Sequence, residues 1–493
     1  MKKGISLIAV VLLILWGCEG EEIKRNEGGG TSTTIEVKEG MNLVGKITAD
    51  EIPMQGVVVS DGYTVTATDE DGIYQMAAKS DAKFVFVSVP SNCEVPTENS
   101  IPRFYKTIGK IPVDGAVQHD FSFHKKIAES KFTLVALPDV QIANNTDLTY
   151  LIGDVPKIKE YVSSLEGVIY GLALGDLVWD NMPYFSKYTE QIDNIGIPTF
   201  QVIGNHDHNE DVVNDDAKSD DEYEENFGPT YYSYNIGECH FVVLDDIVYK
   251  GGRTYSREIT QNQLDWLKKD LKYVGKDKLI ILGIHVPTKR RNSSVEVIGN
   301  QKLYDILNGY QVRILSGHSH NNYTTTISDN IEENTLGAVS GSFWTGDLCN
   351  DGIPRGFAIY EIDGNKITNH YYKGTWHDRN YQMKLYGLGK AVTLNRRDGI
   401  IANIFSWHST WSVKVYEDNI FKTNLSNNIV EQDPAAYDFL NGGDIPPYRP
   451  YAEPEKKNDH MFYYKPSVAD WEVIKVEATD SYGNVYVETI SNE

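Results

Sequence analysis

Six short apolar runs between residues 132 and 315 constrain this chain most. They are FTLVAL (132–137), VIYGLAL (168–174), PTFQVI (198–203), CHFVVL (239–244), LIILGI (279–284) and VRIL (312–315). Continuous runs of this length read as strands buried on both faces, and such strands need helices to cover them. Helical segments fall between them. Ile158, Tyr161, Val162 and Leu165 share one face, as do Leu264, Leu267 and Leu271. Thr260 with Gln263 three residues on has the form of a capping box, and a further helix is expected around Leu303–Leu307. The middle of the chain is therefore expected to be an α/β domain.

The polar residues just after each run carry the chemistry. FTLVAL leads to Asp139 and Gln141, and VIYGLAL to Gly175-Asp176 and then Asp180. PTFQVI leads to Gly204-Asn205-His206-Asp207, LIILGI to His285, and VRIL to Gly317-His318-Ser319-His320. Each piece alone is consistent with a turn or a packing residue. In open α/β sheets, however, ligands bind outside the carboxyl ends of the strands, so five segments deliver Asp, Asn, Gln and His to one place.

This ordered set, D-x-Q, GD-x-x-x-D, GNHD, H and GH-x-H over roughly residues 130–340, resembles the calcineurin-like metallophosphoesterase superfamily. The resemblance implies a central four-layer α/β/β/α sandwich and a metal-dependent phosphoester hydrolase. It implies that Asp139, Gln141, Asp176 and His320 hold one divalent ion. Asp176, Asn205, His285 and His318 hold the second, with Asp176 bridging. Two such ions activate a shared water as hydroxide and clamp the phosphoryl oxygens. Mixed N/O donors suit Mn, Fe, Zn, Co, Ni or Mg. The resemblance makes His206 and Asp207 the catalytic pair, His206 acting on the leaving group and Asp207 orienting it; Asp180 is either a support for a neighbouring side chain or a surface carboxylate. The usual D-x-H motif is here D-V-Q. Gln141 offers a harder, weaker donor, which favours Mn or Mg.

The flanks read differently. Residues 36–127 alternate short strands with Asp-Gly turns, and GVVVSDG…TATDEDGIY resembles a prealbumin-like β-sandwich. The phosphoesterase domain is expected over 128–340 and an all-β domain over 341–493. This arrangement resembles bacterial phosphoesterases with dedicated N- and C-terminal domains. Residues 1–17 have the form of a lipoprotein signal peptide: Lys2 and Lys3, the apolar run 5–16, then Gly17. LWGC resembles a lipobox and implies acylation of Cys18, with 18–35 as a linker. The chain is then expected on a bacterial membrane, periplasmic or at the cell surface, touching lipid only through its anchor. Cys93, Cys239 and Cys349 form no CxxC pair and indicate no thiolate metal site.

A formal net charge of −24 repels polyanions, so a small phosphorylated substrate is expected and nucleic acid is not. Lys289, Arg290 and Arg291, after His285, are candidate phosphate contacts, as are Arg355 and Trp344; a solvated charged loop is the plainer reading of 289–291. The acidic stretch 207–225 does not follow EF-hand spacing and reads as a solvated loop. The alternative function is a non-catalytic surface lipoprotein that binds glycan or protein on a degenerate phosphoesterase scaffold.

Overall fold

The computed structural model describes residues 35–290, 296–425, 429–442, 445, 449 and 451–492. Cys18, the leader and Arg291 lie outside the described residues. Among the described residues, no helix is long and apolar enough to cross a membrane.

Two sheets form the middle of the molecule. In the first, strands Thr199–Val202, Val168–Leu174 and Lys131–Leu137 run parallel in that order. The second orders Tyr232–Ile236, Cys239–Val243, Leu279–Gly283, Gln311–Ser316, Ile331–Thr335 and Tyr323–Ser328, its four inner strands parallel. Strand side chains alternate between faces, and strand Lys131–Leu137 uses both. Phe132, Leu134 and Ala136 belong to the core shared with the second sheet. Val135 and Leu137 belong to a separate core with helices Asn145–Ser164 and Phe185–Ile195. That double burial is why the run reads as continuously apolar.

Helix starts follow local chemistry. Asn144 caps the first helix, its side chain accepting from Thr146 N at 2.8 Å and Asp147 N at 3.2 Å. Thr260 caps helix Gln261–Asp270 as expected, but the box is not reciprocal. Gln263 Oε1 accepts from Asp245 N at 2.9 Å and Nε2 donates to Asp245 O at 2.8 Å, so the glutamine serves the strand end instead.

The hairpin Gly356–Asp363 and Lys366–Gly374, grouped by sequence with the C-terminal β region, is built into the first central sheet. Its first strand pairs antiparallel with Lys131–Leu137 from Lys131↔Asp363 to Ala136↔Ala358. The remaining C-terminal strands form two four-stranded sheets around Ile404, Val413, Val415, Phe462 and Ile474. The region also contains a helix, Pro434–Asn441, where an all-β unit was expected. Asp433 caps it and Pro434 occupies its first turn.

The N-terminal unit has one sheet on Leu43–Ala49 and another ordered Val65–Ala67, Val58–Ser60, Phe84–Val87, Tyr105–Thr107. Its core is continuous with the central one. Phe104 lies 4.7 Å from the ring of Tyr232, and Trp266 Nε1 donates to Ser60 Oγ at 3.0 Å.

Candidate metal centre

All seven expected ligands converge beyond the carboxyl ends of the parallel strands. Asp176 lies at the middle. Its Oδ1 accepts from His206 N at 2.9 Å and stands 3.2 Å from His285 Nε2, while Oδ2 accepts from Gln141 Nε2 at 2.7 Å. His285 Nε2 is also 3.2 Å from Asn205 Oδ1 and 3.2 Å from His318 Nδ1. Asp139 accepts from His318 N at 3.0 and 2.9 Å, and its Oδ1 is 3.5 Å from His320 Nε2. His318 therefore faces His285, and His320 faces Asp139.

The backbone is bent to achieve this. Asp139, Gln141, Asp176, Asp180, His318 and His320 all have φ between 48° and 66°. Non-glycine residues rarely adopt this left-handed region, and they concentrate where the surroundings impose it at functional sites. The motif glycines have a different task. A Cβ on Gly175 would stand 2.6 Å from His285 Nδ1; one on Gly204 would strike Asp176, and one on Gly317 the Asp139 carboxylate. The glycine of GD, GN and GH leaves room for a neighbouring ligand.

The donors suit a divalent cation. Asp176, His285 and His318 present ligand atoms within 4.8 Å of one another. Gln141 Oε1 and His320 Nε2 are buried without a hydrogen-bond partner, an arrangement that a bound cation relieves. His285 Nδ1 meets the carbonyl of Leu174 at 2.8 Å, which aims Nε2 at the centre. Burial opposes charge on His285, yet Asp176, then Asp139 and Asp246, override it and raise the ring to about 10. The carboxylates thus call for positive charge where the ligands meet. Burial lowers His320 to about 4 and, with the His285 charge, holds His318 well below the usual range. Both rings are neutral at pH 7, as ligation requires.

Around the ligands, some roles shift. His206 Nδ1 pairs with Asp180 Oδ1 at 2.8 Å, and Asp180 Oδ2 meets Arg253 Nε at 2.8 Å. Asp180, not Asp207, orients His206. The Asp207 carboxylate accepts from Gly204 N at 2.9 Å, Val178 N at 3.0 Å and Leu177 N at 3.2 Å. It ties the GNHD turn to the GD-x-x-x-D turn and is fully buried. Arg355 and Trp344 are also structural. Arg355 pairs with Asp154 at 2.9 Å and Asp347 at 3.1 Å, and Trp344 Nε1 donates to Val140 O at 2.8 Å. Lys289 is exposed and forms a backbone bridge to Glu296. Arg290 is half-buried, and its charge, with that of Arg257, acts on His318.

Sequence reasoning missed several groups. Asp246 accepts from the backbone N–H of His285 at 3.2 Å and of Val286 at 2.9 Å. It stands in LDD at the end of CHFVVL, so the strand-end signal that marks the ligands marks it too. Phe343 stacks on His320 with centroids 4.1 Å apart, and Trp179 lies 5.0 Å from His206. Arg257 closes the Ile247–Gly251/Thr254–Arg257 hairpin and has no strand-end signal.

Carboxylate, amide and imidazole donors at the strand ends of the two central sheets give this α/β protein a candidate divalent-metal centre. Sequence profiles carry this further. Residues 41–126 match the N terminal of calcineurin-like phosphoesterase, 135–322 the calcineurin-like phosphoesterase domain, and 333–486 the C terminal of calcineurin-like phosphoesterase. The chain belongs to the calcineurin-like phosphoesterases and carries their N- and C-terminal domains on either side of the core. No curated protein sequence matches it. Among solved structures it is similar to a dimetal phosphatase from Danio rerio at 16% identity and TM-score 0.36, over 50% of this chain and 97% of that one. A purple acid phosphatase from yellow lupin, Lupinus luteus, is similar at 13% identity and TM-score 0.39, over 65% and 67%.

Proposed function

We propose that this protein hydrolyses small phosphoesters with two divalent ions, one on Asp139, Gln141, Asp176 and His320 and one on Asp176, Asn205, His285 and His318. The observation that carries this is the split of the donors around Asp176, with Gln141 Oε1 and His320 Nε2 left unpartnered at its edge. When bound, such a pair supplies Lewis-acid stabilisation of phosphoryl oxygens and a more acidic water. The chain's own residues do the rest. Asp180 fixes the His206 ring through Nδ1 and leaves Nε2 to serve the leaving oxygen. Arg257 and Arg290, on the His318 side, supply positive charge for a substrate phosphate in an otherwise acidic protein. The same reading takes the layers as α/β/β/α and the N-terminal unit as prealbumin-like.

The direct test is turnover of generic phosphomonoesters and phosphodiesters by the purified protein with Mn2+, Zn2+ or Mg2+. Metal-dependent hydrolysis of at least one class is expected, with Mn2+ preferred because Gln141 is an oxygen donor. Bound metal with no turnover of either class would favour the non-catalytic binding role.

We also propose that the protein works outside the cytoplasm, anchored through Cys18, on the strength of the leader and LWGC. A fatty-acid probe is expected to label the full-length protein and not Cys18→Ala. Equal labelling of the two rejects the anchor.

A further inference from the structure

We propose a second cation site, separate from the centre above, in which His208, Asp216 and Asp220 take a divalent ion of the Mn2+ or Zn2+ class. The three side chains present ligand atoms within 4.8 Å of one another. Donors roughly 2.0–2.2 Å from an ion stand up to about 4.4 Å from each other, so a group spanning no more than 4.8 Å needs at most a small closing of its side chains. One imidazole with carboxylates is a borderline donor set, which suits these ions.

The histidine is held for the purpose. Its ring lies on Tyr249 with centroids 4.8 Å apart and planes 1° apart. His208 Nδ1 is 2.7 Å from Asp220 Oδ1. The residue is fully buried; Nδ1, the nitrogen that faces Asp220, also stands 3.2 Å from Ser219 Oγ, and Nε2 on the other edge of the ring has no hydrogen-bond partner, which is costly unless something binds there.

A simple ion pair accounts for His208 and Asp220 but not for the company they keep. Asp216 accepts from the backbone N–H of Tyr249, and Asp245 is buried nearby. Burial, then the charge of Asp220, raises Asp216 to about 6 and pushes Asp245 well up. Lys83 lines the same cleft, but Asp221 at 3.0 Å and Glu224 engage it. Asp216 and Asp220 line a cavity of about 250 Å³ between the N-terminal unit and the central domain, where Asp61 and Asp81 add to the negative wall and His208 lies behind them. An ion reaches the cluster through this cleft and meets a field of its own complement.

The segment concerned begins two residues after His206. An ion there joins the 207–225 stretch to the Tyr249 strand and gives that acidic stretch a role that solvation alone does not.

The experiment counts Mn2+ by electron paramagnetic resonance in an Asp176→Asn background, which disables the first centre. One Mn2+ per chain and a metal-dependent rise in melting temperature are expected to remain. Adding Asp216→Asn and Asp220→Asn is expected to remove that equivalent, or weaken it at least tenfold, and abolish the rise. His208→Gln in the same background is an independent variant expected to do likewise, with circular dichroism reporting that each is folded. Unchanged Mn2+ stoichiometry in folded variants, or no Mn2+ retained by folded Asp176→Asn protein, overturns the site. Failure of the first centre would show instead as equal metal content in the parent and Asp176→Asn.

Discussion

Asp176→Asn is expected to lose the metal of its own centre and activity together. This carboxylate touches both halves of the centre, at Gln141 on one side and at His285 on the other. The substitution keeps the shape of the side chain and removes its charge. Metal Lewis-acid stabilisation is worth several kcal/mol, so a loss of about 4 kcal/mol, roughly a thousandfold in turnover, is the expected floor. Metal analysis and turnover on an active ester check both parts. Full metal content with normal turnover would remove Asp176 from its central place.

His206→Ala is expected to behave differently, keeping metal and losing turnover by about 10²–10⁴-fold, the usual range for general acid catalysis. His206 reaches Asp176 only through its backbone N–H, and its ring is tied to Asp180. The deficit should shrink on nitrophenyl esters, whose leaving groups need little protonation. Asp180→Asn should reproduce part of the defect while leaving the ring in place. Metal loss from His206→Ala as complete as from Asp176→Asn would sink this division of labour.

The strand-end motifs are legible in the sequence because they are local. Five of the six apolar runs lead to an expected ligand within a few residues, and GD, GN and GH announce the crowding that forbids a Cβ. Non-local pairings are not legible in the same way. The hairpin 356–374 has ordinary alternation, and nothing in its sequence says that Lys131–Leu137 is its partner across more than 200 residues. Adjacency in sequence points to Asp207 as the His206 partner, but the GNHD turn directs that carboxylate to three backbone N–H groups. Asp180, 26 residues away, arrives through the other turn. The Asp433-Pro434 start is a readable helix signal, outweighed by the strands around it.

The continuous core of the N-terminal and central units has a mechanical consequence. Phe104, Phe200 and Tyr232 interlock across the seam, and Trp266 reaches through it to Ser60. A close-packed seam of this kind resists hinge bending, since opening it exposes aromatic area to water and strands a buried indole N–H. The two units therefore move as one rigid body, and any closing over substrate falls to individual loops rather than to a jaw between domains. Near the centre, Tyr255 of the Thr254–Arg257 strand stands 6.4 Å from the His318 ring, and the charges of Arg290 and Arg257 act on that ring.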